Sequence, residues 1–129
     1  MTDQKLPKPT NAELAILRVL WQRGPSTVRH VQEELNQVRR TGYTTVLKFL
    51  QIMTGKGLVR RDATRRTHVY EPALSQELTQ RQLLKDMLDK AFGGSTARLV
   101  AQALTTGQTS PEELSEIRKL LEKLEGDPK

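Results

Sequence analysis

Gly42-Tyr43-Thr44-Thr45-Val46-Leu47-Lys48-Phe49-Leu50-Gln51-Ile52-Met53-Thr54-Gly55-Lys56-Gly57-Leu58-Val59-Arg60-Arg61 changes its hydrophobic period once, at Gly57. Before that glycine, Val46, Phe49, Leu50 and Met53 gather on one side of a 100° helical wheel, while Thr44, Lys48 and Gln51 fall on the other. This is an amphipathic helix from about Tyr43 to Lys56 with one packing face and one free face. Ile52 leans towards the free side; contact with a thymine methyl and simple packing are its two readings, and packing is preferred. Gly57 is a natural left-handed terminator. Beyond it, Leu58–Asp62 and Thr67–Glu71 are short β-compatible runs around the turn Ala63-Thr64-Arg65-Arg66, and Pro72 closes the second. The expectation is a two-stranded hairpin with a basic tip.

Two helices are expected upstream. Thr10-Asn11-Ala12-Glu13 fits a capping box, in which the Thr hydroxyl accepts the N3 amide and the Glu carboxylate returns to the cap amide. Leu14, Leu17, Val19, Leu20 and Trp21 give that helix a buried face, and Gly24-Pro25 stops it. Ser26 then caps a second helix carrying Val28, Val31 and Leu35 at spacings of three and four.

Downstream the helical period returns. Leu78, Leu83, Leu84, Met87, Leu88, Ala91 and Phe92 form a broad stripe ended by Gly93-Gly94, and Leu99, Val100, Ala103 and Leu104 follow up to Thr105-Thr106-Gly107. Ser110-Pro111-Glu112-Glu113 combines a Ser cap, Pro at the first helical position and Glu at the third. Leu114, Ile117, Leu120, Leu121 and Leu124 supply the stripe of the last helix. The fold class is therefore mainly α with a small β-hairpin: an N-terminal winged helix-turn-helix, then a helical dimerisation segment. The expected division is a flexible arm over 1–9, the winged helix-turn-helix over 10–73, the dimerisation domain over 74–125 and a polar tail over 126–129.

Composition supports one small domain with an appendage. A chain of 129 residues with 36% hydrophobic content and only two Phe, two Tyr and one Trp fills a modest core. Short leucine-rich helices with so little partner surface are expected to cover their stripes with a symmetry mate, through Leu84, Met87, Leu88, Leu99, Leu104, Leu114, Ile117, Leu121 and Leu124; the alternative is a monomeric three-helix cap packed on the wing domain. The absence of cysteine removes disulfides and thiolate metal sites and fits a reducing compartment. No apolar run approaches the roughly 18 residues that span a bilayer, so a cytoplasmic protein without membrane partners is expected. Residues 1–72 hold 13 Lys/Arg against 6 Asp/Glu (net +7), whereas residues 73–129 hold 8 against 9 (net −1), which recovers the +6 of the whole chain. A basic front and a neutral back point to a polyanion for the first and protein for the second.

Helix, helix, helix, hairpin is the order of a winged helix-turn-helix, in which the third helix enters the major groove of DNA and the wing reaches the neighbouring backbone. Thr44, Thr45, Lys48 and Gln51 are then the candidates for base edges and phosphates. Arg65 and Arg66 at the wing tip, Arg60 and Arg61 on the strand before it, and Arg39 and Arg40 ahead of the third helix suit phosphate neutralisation. Such polar faces and Arg pairs are often only solvated; here charge asymmetry, element order and placement agree on one surface.

Gly42-Tyr43-Thr44-Thr45-Val46-Leu47 through Lys56-Gly57-Leu58-Val59, with Arg65-Arg66-Thr67-His68-Val69-Tyr70-Glu71-Pro72, resembles the penicillinase and methicillin-resistance repressors, the bacterial BlaI/MecI family. Thr10 to Trp21, Phe92-Gly93-Gly94-Ser95 and Ser110-Pro111-Glu112-Glu113-Leu114 extend the resemblance over nearly the whole chain. It implies a homodimer that binds a dyad-symmetric operator, represses resistance or protease genes, and is inactivated by an antirepressor protease after a membrane sensor detects β-lactam or another stress. Two departures stand out. Members cleaved in this way carry an Asn-Phe bond where this chain has Gln102-Ala103, and copper-responsive relatives carry a C-terminal cysteine cluster that this chain lacks.

Other classes are weaker. Catalysis needs a nucleophile beside a base, paired carboxylates or a metal constellation, and only His30 and His68 are present. His30 with Glu33 and Glu34 is read as a solvated helix face rather than a metal site, and His68 as an edge-strand or phosphate-contacting residue. No catalytic residue, metal or cofactor is expected. The alternatives are a winged helix serving as a protein-interaction module, and a DNA-binding regulator released by a small ligand instead of proteolysis.

Overall fold

The computed structural model describes residues 7–64 and 66–126. Residues 1–6 of the expected arm, Arg65, and residues 127–129 of the expected tail lie outside the described residues. The elements run α1 (Asn11–Arg23), α2 (Val28–Asn36), α3 (Tyr43–Lys56), β1 (Val59–Asp62), β2 (Val69–Pro72), α4 (Gln76–Ala91), α5 (Thr96–Thr106) and α6 (Pro111–Gly126).

Local chemistry sets the boundaries. Thr10 and Glu13 make the reciprocal capping box that opens α1: the Glu13 amide donates to Thr10 Oγ1 at 3.2 Å and the Thr10 amide to Glu13 Oε1 at 2.9 Å. α2 is capped by Thr27, not Ser26. Thr27 Oγ1 accepts the His30 amide and His30 Nδ1 accepts the Thr27 amide, a capping box with imidazole in place of carboxylate. Ser26 is instead buried in extended backbone: its amide donates to Tyr70 O at 2.9 Å and its carbonyl accepts the Tyr70 amide at 2.8 Å. A serine ahead of a helix is ambiguous between cap and strand, and here the sheet takes it. Gly57 closes α3 with φ +83°, where a Cβ would be strained. At the back, Ser75, Ser95 and Ser110 accept the amides of Leu78, Arg98 and Glu113, so each late helix starts on a serine cap. α6 continues through Gly126, one residue into the expected tail.

Two compact units divide the chain, residues 1–85 and 86–129. In the first, α1 packs on α2 and β2, α2 on α3, and α3 on β1. The core is Ile16, Leu17 and Leu20 of α1, Val28 and Val31 of α2, Val46, Leu50 and Met53 of α3, and Leu58, Val59 and Tyr70 around the hairpin. On α1 the buried face is centred on Glu13, Ile16, Leu17 and Leu20, while Leu14 and Val19 sit at its margins, half-exposed. The true face is turned by part of a turn from the expected stripe, because a buried glutamate gives no hydrophobic signal. Trp21 Nε1 donates to Leu74 O at 3.2 Å, tying the exit of the hairpin to α1, and Thr79 in the first turn of α4 is buried.

In the second unit, which carries the end of α4 with α5 and α6, no residue of α5 or α6 is buried.

Candidate nucleic-acid interface

α3 presents two unlike faces. Val46, Leu50 and Met53 are fully buried, whereas Thr44, Thr45, Lys48 and Gln51 are all exposed. Phe49 is half-buried against the core and Tyr43, the first residue of the helix, is 47% exposed. Ile52 is also 47% exposed, so the packing expected for it is not made. It lies between Thr45 and Lys48 around the helix, pointing away from the core.

The approach to α3 is held by side-chain hydrogen bonds. Asn36 Oδ1 accepts the Thr41 amide at 2.6 Å, and Gln32 Nε2 donates to Thr41 O at 3.3 Å. These bonds fix the loop that delivers Arg39 and Arg40, both exposed, to the start of the helix.

The wing begins and ends closer to its base than the sequence implies: β2 starts at Val69, leaving Thr67 and His68 in the loop, and Pro72 pairs with Val59 inside the ladder. Pro is tolerated there because a two-stranded hairpin has free edges. The register sets Arg60 opposite Glu71 and Arg61 opposite Tyr70. Side chains alternate across a strand, so Arg61 shares the face of buried Val59 and Tyr70, while Arg60 shares the other face with Glu71. Arg60 Nε donates to Glu71 Oε2 at 3.4 Å in an exposed pair, a weak interaction that a phosphate can exchange. The two arginines thus serve opposite sides of the hairpin, which an Arg-Arg doublet does not reveal. Arg66 is exposed at the tip; Arg65 lies outside the described residues.

A groove runs between the starts of α2 and α3 and the wing, lined among others by Arg29, Tyr43, Arg66, Thr67 and His68. It brings the wing tip and the start of α3 to one surface. Sequence reasoning missed Arg29 and Tyr43; their signal is position, in the first turn of each helix of the helix-turn-helix. His30 is engaged in the α2 cap and Glu34 pairs with Arg23 at 3.2 Å, so neither is poised as a ligand. Among the described residues no group of three His, Asp or Glu could hold a metal, and no helix is long and apolar enough to cross a membrane.

The positions expected to meet a second copy are spread over the last three helices. Leu84, Met87, Leu114, Leu121 and Leu124 are exposed, and Leu88, Leu99, Leu104 and Ile117 are half-exposed.

Known proteins of the same architecture can be compared with this geometry. The model of the penicillinase repressor family matches residues 9–123. The transcriptional regulator BlaI of Mycobacterium tuberculosis is 33% identical over 122 residues, covering 94% of this chain and 88% of that protein. The penicillinase repressor of Bacillus licheniformis is 24% identical over 119 residues, covering 92% and 93%. Among solved structures, the monomeric form of B. licheniformis BlaI in complex with the blaP half-operator superposes with a TM-score of 0.50 at 25% identity, covering 57% of this chain and 89% of that one. With a match across nearly its whole length, and with the three-helix-plus-wing unit in place, the chain belongs to the penicillinase repressor (BlaI/MecI) family of DNA-binding transcriptional repressors, which are not enzymes.

Proposed function

We propose that the protein is a cytoplasmic, homodimeric repressor that reads a dyad-symmetric operator with α3 and steadies itself on the backbone with the wing. The observation that carries this reading is the free face of α3: Thr44, Thr45, Lys48 and Gln51 are exposed opposite buried Val46, Leu50 and Met53. Arg39, Arg40, Arg66 and, on the outer face of the wing, Arg60 supply positive charge around it, and a 25% identical BlaI was solved on a half-operator. Arg65 is assigned to the same tip from its place in the sequence. Two copies would set their recognition helices about 34 Å apart, or a multiple of it, to match half-sites one or more turns apart.

Dimerisation is assigned to α4, α5 and α6, whose leucines are exposed or half-exposed at spacings of three and four. The proposed functional division remains 10–73 for DNA and 74–125 for the second copy, although the start of α4 groups with the first compact unit. Release by an antirepressor protease at Gln102-Ala103 would require α5 to unwind locally. Both residues are exposed, but the bond is helical, and Gln102 O accepts the Thr106 hydroxyl at 2.6 Å while Ala103 O accepts the Gly107 amide at 3.2 Å.

The test is selection of duplexes from a randomised library, followed by fluorescence anisotropy against the winner and a scrambled control at two salt concentrations. A palindromic winner bound at least about a thousandfold more tightly than the control, with a steep salt slope, is expected. Enrichment of no sequence would overturn the reading. On the same duplex, Lys48→Ala is expected to weaken binding about tenfold per half-site, a typical loss for one base-edge hydrogen bond. Arg66→Ala should weaken all duplexes alike and flatten the salt slope by about one unit for each phosphate that is no longer neutralised; an unchanged slope would remove the wing from the interface.

A further inference from the structure

Two residues on the free face of α3 are unlike their neighbours, and nothing among the described residues accounts for either. Ile52, at 47% exposure, is a β-branched apolar side chain between Thr45 and Lys48. Gly55 lies between Thr44 and Lys48 around the helix, at 100° per residue. Its φ is not in the left-handed region, and a Cβ added to it would meet nothing within 4 Å among the described residues, so neither backbone conformation nor their packing asks for glycine there. Alanine would be the better helix former. A Cβ leans towards the helix N-terminus, so a side chain at 55 would stand over the turn carrying Gln51 and Ile52. The glycine leaves the flank of Ile52 open.

We propose that Ile52 is a specificity-determining residue that reads a thymine in each half-site through its 5-methyl group, with Gly55 giving the base edge room to approach. The inference rests on the docking of α3 in the major groove proposed above and names what that face selects. The thymine methyl is the one apolar group that base edges present in the major groove, and the one feature an isoleucine can recognise there. Thr45 and Lys48 beside it are suited to the polar edge of the same or the adjacent pair. A lone exposed isoleucine is ordinary on a protein surface; an isoleucine beside a glycine without structural cause, inside a polar recognition face, fits a partner that presses close.

The experiment uses the full-length protein and the library-selected duplex, with each thymine of a half-site replaced in turn by deoxyuridine, which deletes only the methyl. One substitution is expected to weaken wild-type binding about fourfold per half-site, or about fifteenfold when made in both, the value of one buried methyl. Ile52→Ala should show a loss of similar size and no further loss on the deoxyuridine duplex. Ile52 is exposed, so this variant is expected to fold normally. Gly55→Ala should move stability and binding in opposite directions, raising Tm by a few degrees while weakening the operator complex. Equal deoxyuridine sensitivity in wild type and Ile52→Ala, or none in a wild type that still prefers the selected duplex, would overturn the assignment of Ile52 while leaving the repressor reading intact. Tighter or equal binding by Gly55→Ala would overturn the close approach. A wild type that prefers no duplex would overturn both readings.

Discussion

Cutting the chain after Lys85 is expected to leave a folded monomer that binds a half-site as well as the full protein does, but binds the whole operator at least about a hundredfold more weakly. Residues 1–85 form one compact unit with its own core of α1, α2, α3 and the hairpin. The cut must keep Leu74 and Thr79, because Trp21 donates to the first and the second is buried; ending at Pro72 would destabilise the domain for reasons unrelated to dimerisation. In a dimer, the second recognition helix meets its half-site at an effective concentration in the millimolar range, set by the tether. A monomer has only the concentration in solution, and that difference is the predicted loss. Analytical ultracentrifugation supplies the oligomeric state and anisotropy the affinity. Leu121→Asp with Leu124→Asp should reproduce the loss in the full-length chain, since both leucines are exposed in α6 and lie outside the core of the first unit. Wild-type operator affinity in the truncated chain would mean that the back half does not couple the two copies.

Much of this is legible in the residues because it depends on local rules. The capping box at Thr10-Glu13, the glycine stop at Gly57 and the serine cap at Ser110 act within a few positions of the chain, and each appears where the sequence puts it. The two faces of α3 follow from period alone. What escapes is whatever depends on a partner far along the chain. Ser26 reads as a cap until Tyr70 is placed beside it, and the Arg60-Arg61 doublet reads as one basic patch until the register with Glu71 and Tyr70 sends its members to opposite faces. The groove that joins Arg29 and Tyr43 to Arg66 forms from three elements far apart in sequence. Ile52 fails for the opposite reason: hydrophobicity predicts burial on average, and a residue kept apolar for a partner violates that average.

Glu13 is the most consequential of the long-range surprises, and Glu13→Ala is expected to destabilise the winged-helix unit by about 2–3 kcal/mol. The sequence assigns this residue only to the cap of α1, but its carboxylate is 3% exposed and also accepts Lys56 Nζ at 2.8 and 3.1 Å, joining the start of α1 to the end of α3. Alanine removes half a capping box, worth about 1 kcal/mol, together with a charge pair and its packing. The loss stays below the 3–5 kcal/mol typical of breaking a fully buried pair, because Lys56, at 41% exposure, can turn to water. Burial pushes the Glu13 carboxyl up, but the hydrogen bonds from Lys56 and Thr10 and the Lys56 charge outweigh it and hold its pKa below the ordinary 4.5. A carboxyl depressed in the folded state stabilises the fold above its unfolded pKa, and that contribution fades as pH falls through the folded value. Glu13→Gln keeps an acceptor for the Thr10 amide and loses the charge together with the second oxygen that accepts from Lys56. Urea unfolding at pH 7 and at successively lower pH should therefore show wild type more stable than Glu13→Gln at neutrality, with the gap closing below about pH 4.5. A gap that holds constant through that range would assign the stabilisation to packing and capping, and the ion pair between α1 and α3 to geometry alone.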